Sequence, residues 1–141
     1  MPSLLPRDPA KAAHLERCAR LDTFTLAYIR CALWSSTDDQ DKPMDRYSVS
    51  CLSDELLTQM EADCAAFQAA NGADMESGSY KDDPIGMRER AGADFWLTRN
   101  GHGCGFWDGD WREPQGEQLT VASTAFGTVD LYVGDDGRIY A

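Results

Sequence analysis

Apolar residues recur every three or four positions through the first quarter of the chain, which predicts helix over residues 9–34. These apolar positions are Leu15, Cys18, Leu21, Phe24, Ala27, Tyr28, Cys31 and Trp34. Pro9 suits a first helical turn. Asp22 and Thr23 are better suited to capping a helix than to its interior, so we expect one helix to end and another to begin there.

The clearest helix start lies in the middle of the chain. Ser53 is suited to the N-cap position, and Leu52 and Leu57 stand where a hydrophobic staple would place them. The apolar line of this helix is Leu56, Met60, Cys64 and Phe67. Asn71 and Gly72 follow, and a glycine after the last apolar turn predicts the helix end.

Two stretches lack a helix or strand period and are predicted to be loops. Residues 35–50 are polar and contain Pro43, whereas residues 73–92 are interrupted by Gly78 and Pro84. Loops as long as the second one commonly carry binding sites or are partly mobile.

Residues 94–111 hold three of the four tryptophans and two of the five phenylalanines, placed around one Asn-Gly pair. Asn100 and Gly101 are typical of a two-residue hairpin turn, because such a turn needs positive φ at both central residues. The pattern therefore predicts a β-hairpin in which Phe95–Arg99 pairs with Gly103–Asp108.

The last part of the chain predicts a short helix and a second hairpin. Glu117–Phe126 has helical spacing and ends at a glycine. Residues 129–133 alternate in polarity, and a turn at 134–137 joins them to a return strand at 139–140. We therefore predict an α+β fold in which N-terminal helices pack on a small antiparallel sheet, formed by two β-hairpins with an intervening helix in the order β-β-α-β-β.

Length and composition fit one globular domain. A chain of 141 residues can bury enough surface for a self-sufficient core, and 43% hydrophobic residues is an ordinary share. We predict a single α+β domain at residues 23–141, preceded by a helical N-terminal extension at residues 1–22.

The five cysteines are odd in number and never form a C-x-x-C pair, which argues against a disulfide framework and favours a reducing cytoplasm. The N-terminus lacks the apolar core of a signal peptide, and no stretch approaches the ~20 apolar residues that span a bilayer. We expect a cytoplasmic protein that does not act on membranes.

Charge is unevenly distributed along the chain. Residues 1–34 carry five basic and three acidic side chains, so the whole-chain net charge of −11 leaves −13 for the remaining residues. A field of that sign repels phosphate backbones and anionic lipid and attracts basic protein surfaces. Direct binding to nucleic acid is therefore disfavoured, and solubility alone is the other interpretation of the charge.

A few side chains resemble parts of a metal or thiol site. His102 and Cys104 beside Asp108 offer nitrogen, sulfur and oxygen ligands, and His14 with Cys18 is correctly spaced on one helix face. Neither pattern fixes a third ligand, and no orienting group accompanies Cys104 and His102 as a nucleophile and base. No catalytic residue, metal or cofactor is therefore predicted. A metal-binding enzyme that uses His102, Cys104 and Asp108 is the alternative.

An acidic, aromatic surface is the remaining candidate site. The aromatic residues of 94–111 lie on predicted strands whose faces alternate, so they cannot all enter one core. Exposed indoles ringed by carboxylates resemble an interaction hot spot, whereas packing on cross-strand neighbours is the structural alternative. The candidate partner-binding residues are Asp94, Trp96, Trp107, Asp108, Asp110 and Trp111, together with Asp38 and Asp39 of the first loop.

Four segments of the chain resemble sequence motifs of a known protein family. They are TFTLAYIRCALWSSTDD at 23–39, DCAAFQ at 63–68, GADFWLTRNGHGCGFWDGDW at 92–111 and LYVGDDGRIY at 131–140. Together they resemble a family of small acidic proteins encoded by tailed bacteriophages and related mobile elements. The resemblance implies a phage origin, supplies no catalytic residue or ligand, and does not extend over residues 1–22.

These properties favour a non-enzymatic, phage-type protein that binds and inhibits a host nucleic-acid-handling defence complex, of the anti-CRISPR or anti-restriction type. Such complexes expose channels lined with Arg and Lys, which a negative surface can occupy. The expected partner is a host protein or ribonucleoprotein complex with a basic surface. A phage accessory protein that acts by self-association is a further alternative.

Overall fold

A computed structural model describes residues 8–141, so residues 1–7 of the predicted N-terminal extension lie outside the described residues. The described α-helices are α1 (Pro9–Ala19), α2 (Thr23–Ser35), α3 (Asp54–Gly78), α4 (Pro84–Arg99) and α5 (Gln115–Thr124). Two single-turn 3₁₀ helices, Met44–Arg46 and Val49–Cys51, lie between α2 and α3. Two short strands, β1 (Tyr132–Val133) and β2 (Ile139–Tyr140), lie near the end of the chain.

Side-chain caps set the predicted starts of α2 and α3. The Asp22 carboxylate and the Ser53 hydroxyl each accept a hydrogen bond from the backbone N–H three residues further on, at 2.8 and 3.1 Å. The break at residue 22 and the helix start at Ser53 are therefore confirmed. Leu52 and Leu57 are both buried, as a hydrophobic staple requires.

The first predicted hairpin is wrong, because residues 84–99 form helix α4. Asp83 caps this helix by accepting a hydrogen bond from the Gly86 N–H at 2.7 Å, and Pro84 occupies the first turn, where no N–H is needed. The Asp-Pro pair therefore begins a helix instead of interrupting one. Its buried positions include Met87, Ala91, Phe95 and Thr98, at the spacing of a helix.

Asn100 and Gly101 end α4 and do not turn a hairpin. Gly101 has a φ of 70°, and the N–H groups of Gly101 and His102 donate to the carbonyl oxygens of Thr98 and Leu97 at 3.2 and 3.0 Å. This pair of bonds is a Schellman C-cap. A glycine at positive φ serves a hairpin turn and a helix end equally, so the dipeptide alone does not distinguish them.

Helix α3 continues through the predicted stop at Gly72 and ends at Gly78. Met75, beyond the predicted stop, is fully buried. A glycine inside a helix costs about 1 kcal/mol relative to alanine. Burial of a Met side chain stabilises by about 1.5–3 kcal/mol, so the tertiary gain exceeds the local cost. The predicted loop at 73–92 is thereby reduced to the link at 79–83.

The fold is mostly helical, and the prediction of an α+β fold with two β-hairpins is wrong. In residues 8–141 the only strands are β1 and β2, which pair antiparallel with Tyr132 opposite Tyr140 and Val133 opposite Ile139. The second predicted hairpin is thus reduced to a pair of strands with two residues each. The segment predicted as the first strand of the other hairpin, Phe95–Arg99, lies in α4, and all five of its residues are buried, whereas a strand with one exposed face would alternate.

All five phenylalanines meet in the core. Phe67 of α3 stacks on Phe95 of α4 with ring centroids 4.3 Å apart. Phe24, Phe106 and Phe126 have centroids 5.8, 5.8 and 6.2 Å from that of Phe67. This aromatic cluster joins α2, α3 and α4 to the segments on either side of α5.

Helices α2 and α4 approach each other closely at Gly92. A Cβ atom at Gly92 would overlap the carbonyl oxygen of Phe24 on α2. The absence of a side chain therefore lets the two backbones meet. The outer faces of the same two helices border the candidate site described below.

Helix α1, within the predicted N-terminal extension, packs on the start of α3. The buried His14 ring forms hydrogen bonds with the Asp54 carboxylate at 2.6 Å and with the Ser50 carbonyl oxygen at 3.1 Å. Arg17 pairs with Glu61 of α3 at 2.7 Å. The described part of residues 1–22 is therefore in contact with the rest of the fold.

Candidate functional site

The outer faces of α2 and α4 and the loop after α4 border an open cavity of about 620 Å³, which we call the acidic cleft. Its charged lining residues are four acids and two bases, namely Glu89, Asp94, Asp108, Asp110, Lys81 and Arg90. Its other lining residues are Cys31, Trp34, Gly86, Ala93, Leu97 and Cys104. A second groove of about 530 Å³ shares four of these residues and continues along the same two helices.

Helical spacing brings the lining residues to one face of each helix. On α4, Arg90, Asp94 and Leu97 follow one another at steps of four and three residues. On α2, Cys31 and Trp34 are three residues apart. The two faces therefore form the walls of the acidic cleft.

The loop after α4 folds back onto that helix and completes the cleft. The Thr98 hydroxyl accepts a hydrogen bond from the N–H of Phe106, which is buried, at 3.0 Å. The Asp108 carboxylate accepts hydrogen bonds from two backbone N–H groups of the loop, at 3.2 and 3.4 Å. This folding brings Cys104, Asp108 and Asp110 to the cavity.

Asp94 is the buried acid of the acidic cleft and is only 4% exposed. Its Oδ2 accepts a hydrogen bond from Nε1–H of Trp111 at 2.7 Å, and no donor in residues 8–141 bonds its Oδ1. Burial raises the pKa of Asp94 to about 6, and the charges of Asp108 and Asp110 contribute to the rise. The Trp111 bond and the charge of Arg90 oppose it only in part. The fold therefore leaves the charge of this carboxylate poorly compensated.

The structure separates the three tryptophans of 94–111. Trp96 and Trp111 are 1% and 2% exposed, whereas Trp107 is 52% exposed. The Trp96 ring N–H donates to the Ser35 hydroxyl at 2.8 Å, so both buried indoles have hydrogen-bond partners. Among these three candidates, only Trp107 offers an indole at the surface. The indole of the acidic cleft belongs to Trp34 of α2, which is 67% exposed.

Sequence reasoning missed the contribution of α2 to the site. Cys31 and Trp34 belong to the apolar stripe from which the helix is predicted, yet they face the cleft. The buried face of α2 is instead formed by Phe24, Thr25, Tyr28, Ile29, Ala32 and Leu33. A helix that is apolar on two sides can bury only one of them in the core, so the other side is a candidate binding surface. The two apolar sides of α2 can be identified from the sequence.

Asp38 and Asp39 do not line the acidic cleft. The Asp38 carboxylate accepts hydrogen bonds from the N–H groups of Gln40 and Lys42 and from the Arg46 guanidinium, at 2.8, 3.0 and 2.6 Å. The hydrogen bond from Arg46 is the main reason why the pKa of Asp38 falls to about 2. Asp38 therefore holds its own loop together, while Asp39 is exposed.

The residues of the alternative metal or thiol site are distributed over different parts of the structure. Cys104 and Asp108 line the acidic cleft, whereas His102 lines another cavity with Trp96. No group of three His, Cys, Asp or Glu side chains within the described residues is placed to hold a metal ion. Burial raises the pKa of Cys31 to about 12, with the charge of Asp94 contributing, so this thiol stays protonated at neutral pH.

Comparisons of the chain with models of protein families, with curated proteins and with solved structures gave no match. Among the helices of residues 8–141, none has both the length and the apolar character that crossing a bilayer requires. The geometry of the acidic cleft is therefore the basis for assigning a function.

Proposed function

We propose that this protein is a non-enzymatic binding protein that presents the acidic cleft to a basic surface of a partner protein. One observation is the main support for this proposal. Asp94 from α4 and Asp108 and Asp110 from the following loop converge on one open cavity, beside the exposed indole of Trp34. An aromatic side chain set among charged groups is typical of a binding hot spot.

The partner in this proposal is a nucleic-acid-handling defence complex of a bacterial host. Such complexes hold nucleic acid in channels lined with Arg and Lys, and long-range attraction draws a chain of net charge −11 towards them. A protein seated in the channel excludes the nucleic acid, so binding alone inhibits the complex. The resemblance to small acidic phage proteins supports this choice of partner.

Affinity purification from a bacterial host with matched charge variants tests the proposal. Asp108→Asn removes one charge from the acidic cleft and keeps one oxygen, which can accept one of the two loop hydrogen bonds that the carboxylate accepts through separate oxygens. Asp135→Asn is the control, because Asp135 is exposed in the turn between β1 and β2 and lies outside the cleft. The two variants change the net charge equally.

We expect wild type and Asp135→Asn to retain the same nucleic-acid-handling complex, and Asp108→Asn to retain it weakly. Raising the ionic strength from about 0.05 to about 0.5 M should release the complex, since salt screens attraction between exposed charges. The purified protein should also compete with nucleic acid for the isolated complex. Equal retention by all three proteins, or retention unaffected by salt, would refute the proposal. A stable dimer that retains no host complex would instead support the accessory-protein alternative.

A further inference from the structure

The buried carboxyl group of Asp94 is a hydrogen-bond acceptor that the fold does not fully use. It is 4% exposed, and within residues 8–141 only Trp111 donates to it. The ion pairs formed by these residues do not include Asp94. A buried carboxylate that forms no ion pair and few hydrogen bonds is unfavourable. The acidic cleft therefore offers an acceptor to a donor from outside the chain.

The groups that face Asp94 favour a cation in the cleft. Arg90 lies one turn earlier on α4, but its guanidinium pairs with Asp110 at 2.9 Å. Asp108 and Asp110 bring negative charge from the loop, and Cys31 on α2 is a neutral thiol. A positively charged group that enters the cavity would meet more negative than positive charge.

Trp34 determines which kind of cation fits best. Its indole is 67% exposed on the wall of the same cavity. A guanidinium is planar, stacks on an aromatic face and donates two parallel N–H bonds to a carboxylate. An ammonium group is compact and more strongly hydrated, so it gains less from an aromatic wall. An indole and a buried carboxylate in one cavity therefore favour arginine over lysine.

We propose that the acidic cleft is an arginine-binding site, in which a guanidinium group of the partner protein bonds the Asp94 carboxylate and stacks on the indole of Trp34. This inference rests on the proposed function, and it specifies which side chain of the partner the cleft recognises. The adjoining groove of about 530 Å³ is lined in part by Leu26, Ala27 and Ile85. The recognised arginine is therefore expected to stand next to an apolar residue in the partner.

Titration of the full chain with Nα-acetyl-L-arginine amide, followed by NMR, tests the site without the partner. Nα-acetyl-L-citrulline amide has nearly the same shape and no charge, and the lysine amide carries the other cation. Gly86 and Ala93 line the acidic cleft, so the NMR signals of their backbone amides should report occupancy. We expect saturable shifts with the arginine amide, binding of the lysine amide at least about fivefold weaker, and no shift with the citrulline amide.

Three variants assign the binding to named groups. Asp94→Asn keeps an oxygen that can accept the Trp111 hydrogen bond, and Trp34 is exposed, so we expect Asp94→Asn and Trp34→Ala to fold. Trp107→Ala removes an exposed indole that does not line the cleft and is the matched control. Affinity for the arginine amide should fall about tenfold or more in Asp94→Asn and a few-fold in Trp34→Ala. Trp107→Ala should bind as wild type does.

Absence of a shift, equal shifts with the arginine and citrulline amides, or wild-type affinity in Asp94→Asn would overturn the arginine site. Those results leave the proposed function standing, because it depends on capture of a host complex that Asp108→Asn weakens. An intact arginine site in a protein that captures no such complex would refute the proposed function instead. The two failures are therefore distinguishable.

Discussion

Helix α4 carries two buried charged residues, Asp94 and Arg99, that differ in how completely the fold satisfies them. Arg99 is 5% exposed and donates hydrogen bonds to four oxygen atoms at 2.8–3.1 Å, one of them in the carboxylate of Asp63. Asp94 is 4% exposed and accepts one hydrogen bond within residues 8–141, from Trp111. The two side chains are equally buried, yet only Arg99 has a partner of opposite charge.

The contacts of Arg99 show that this residue has a structural role in the fold. Its guanidinium bonds Tyr28 on α2 and Asp63 on α3, together with the carbonyl oxygens of Phe126 and Gly127 after α5. It also lies over the ring of Phe126, with its central carbon 5.5 Å from the ring centroid. One side chain at the end of α4 thus joins α2, α3 and the segment after α5.

Asp94 and Arg99 together show that burial of a charge does not by itself indicate function. A buried charge with a complete set of partners stabilises one arrangement of the fold. A buried charge with partners missing is unfavourable in the free protein and becomes favourable when a ligand supplies them. The orientation of Asp94 towards an open cavity makes it the functional candidate of the pair.

Substitution of Arg99 should have the largest effect on stability. Arg99→Met leaves the half-buried Asp63 carboxylate without its cation, and breaking a largely buried pair in this way costs about 3–5 kcal/mol of the free energy of unfolding. Urea denaturation measures the change. Arg138→Met is the control, because Arg138 is exposed, and its change should stay within about 0.5 kcal/mol. A small effect of Arg99→Met would contradict the structural role.

Asp94→Asn should stabilise the protein at neutral pH. The folded state raises the pKa of Asp94 from 3.8 to about 6, so the unfolded state loses its proton first as the pH rises. The wild-type protein is therefore destabilised progressively between about pH 4 and pH 6, by about 3 kcal/mol in total. The variant should be more stable at pH 7.5 and similar to wild type below pH 4.

Asp63→Asn is the counterpart of Asp94→Asn, because the same chemical change should change the free energy of unfolding in the opposite direction. It removes the charge that compensates Arg99, so the protein should lose stability at pH 7.5. Thermal or urea unfolding of both variants across this pH range checks the two signs. Destabilisation by both substitutions at neutral pH would mean that the charge of Asp94 is as well compensated as that of Asp63.

Gly92→Ala tests the contact that positions α4, and hence both charges, against α2. The new methyl group would overlap the carbonyl oxygen of Phe24, and relieving such overpacking costs about 1–3 kcal/mol. Gly72→Ala in α3 is the matched control, because a Cβ there would meet no atom within 4 Å apart from the neighbouring backbone of its own helix. That control should gain about 0.5–1 kcal/mol from helix propensity. Equal effects at the two sites would contradict the close approach of α2 and α4.

Trp34→Ala should have the smallest effect on stability, within about 0.5 kcal/mol, because the indole is 67% exposed. The same truncation at Trp96, which is 1% exposed, should cost about 3–5 kcal/mol. Denaturation curves of the two variants provide the comparison. A large loss of stability in Trp34→Ala would mean that the wall of the acidic cleft is part of the core.

The sequence reveals the acidic residues of the candidate site but does not reveal which tryptophan accompanies them. Asp108 and Asp110 are close in sequence to Asp94, and the three carboxylates do meet in one cavity. Trp96 and Trp111 have the residue type of a binding anchor, but their burial depends on neighbours that the sequence does not place beside them. Trp34 is 60 residues from Asp94 and reaches the cleft only because α2 packs along α4.

Local sequence specifies several features of this protein, namely the caps at Asp22 and Ser53, the positive φ of Gly101 and the turn of the last hairpin. These features depend on hydrogen bonds and backbone angles within a few residues, so a short stretch of sequence is enough to specify them. Whether residues 95–99 form a strand or a helix, and which indoles are buried, depends on how the helices pack together. The reason is that the free energy of burial depends on surfaces supplied by distant parts of the chain.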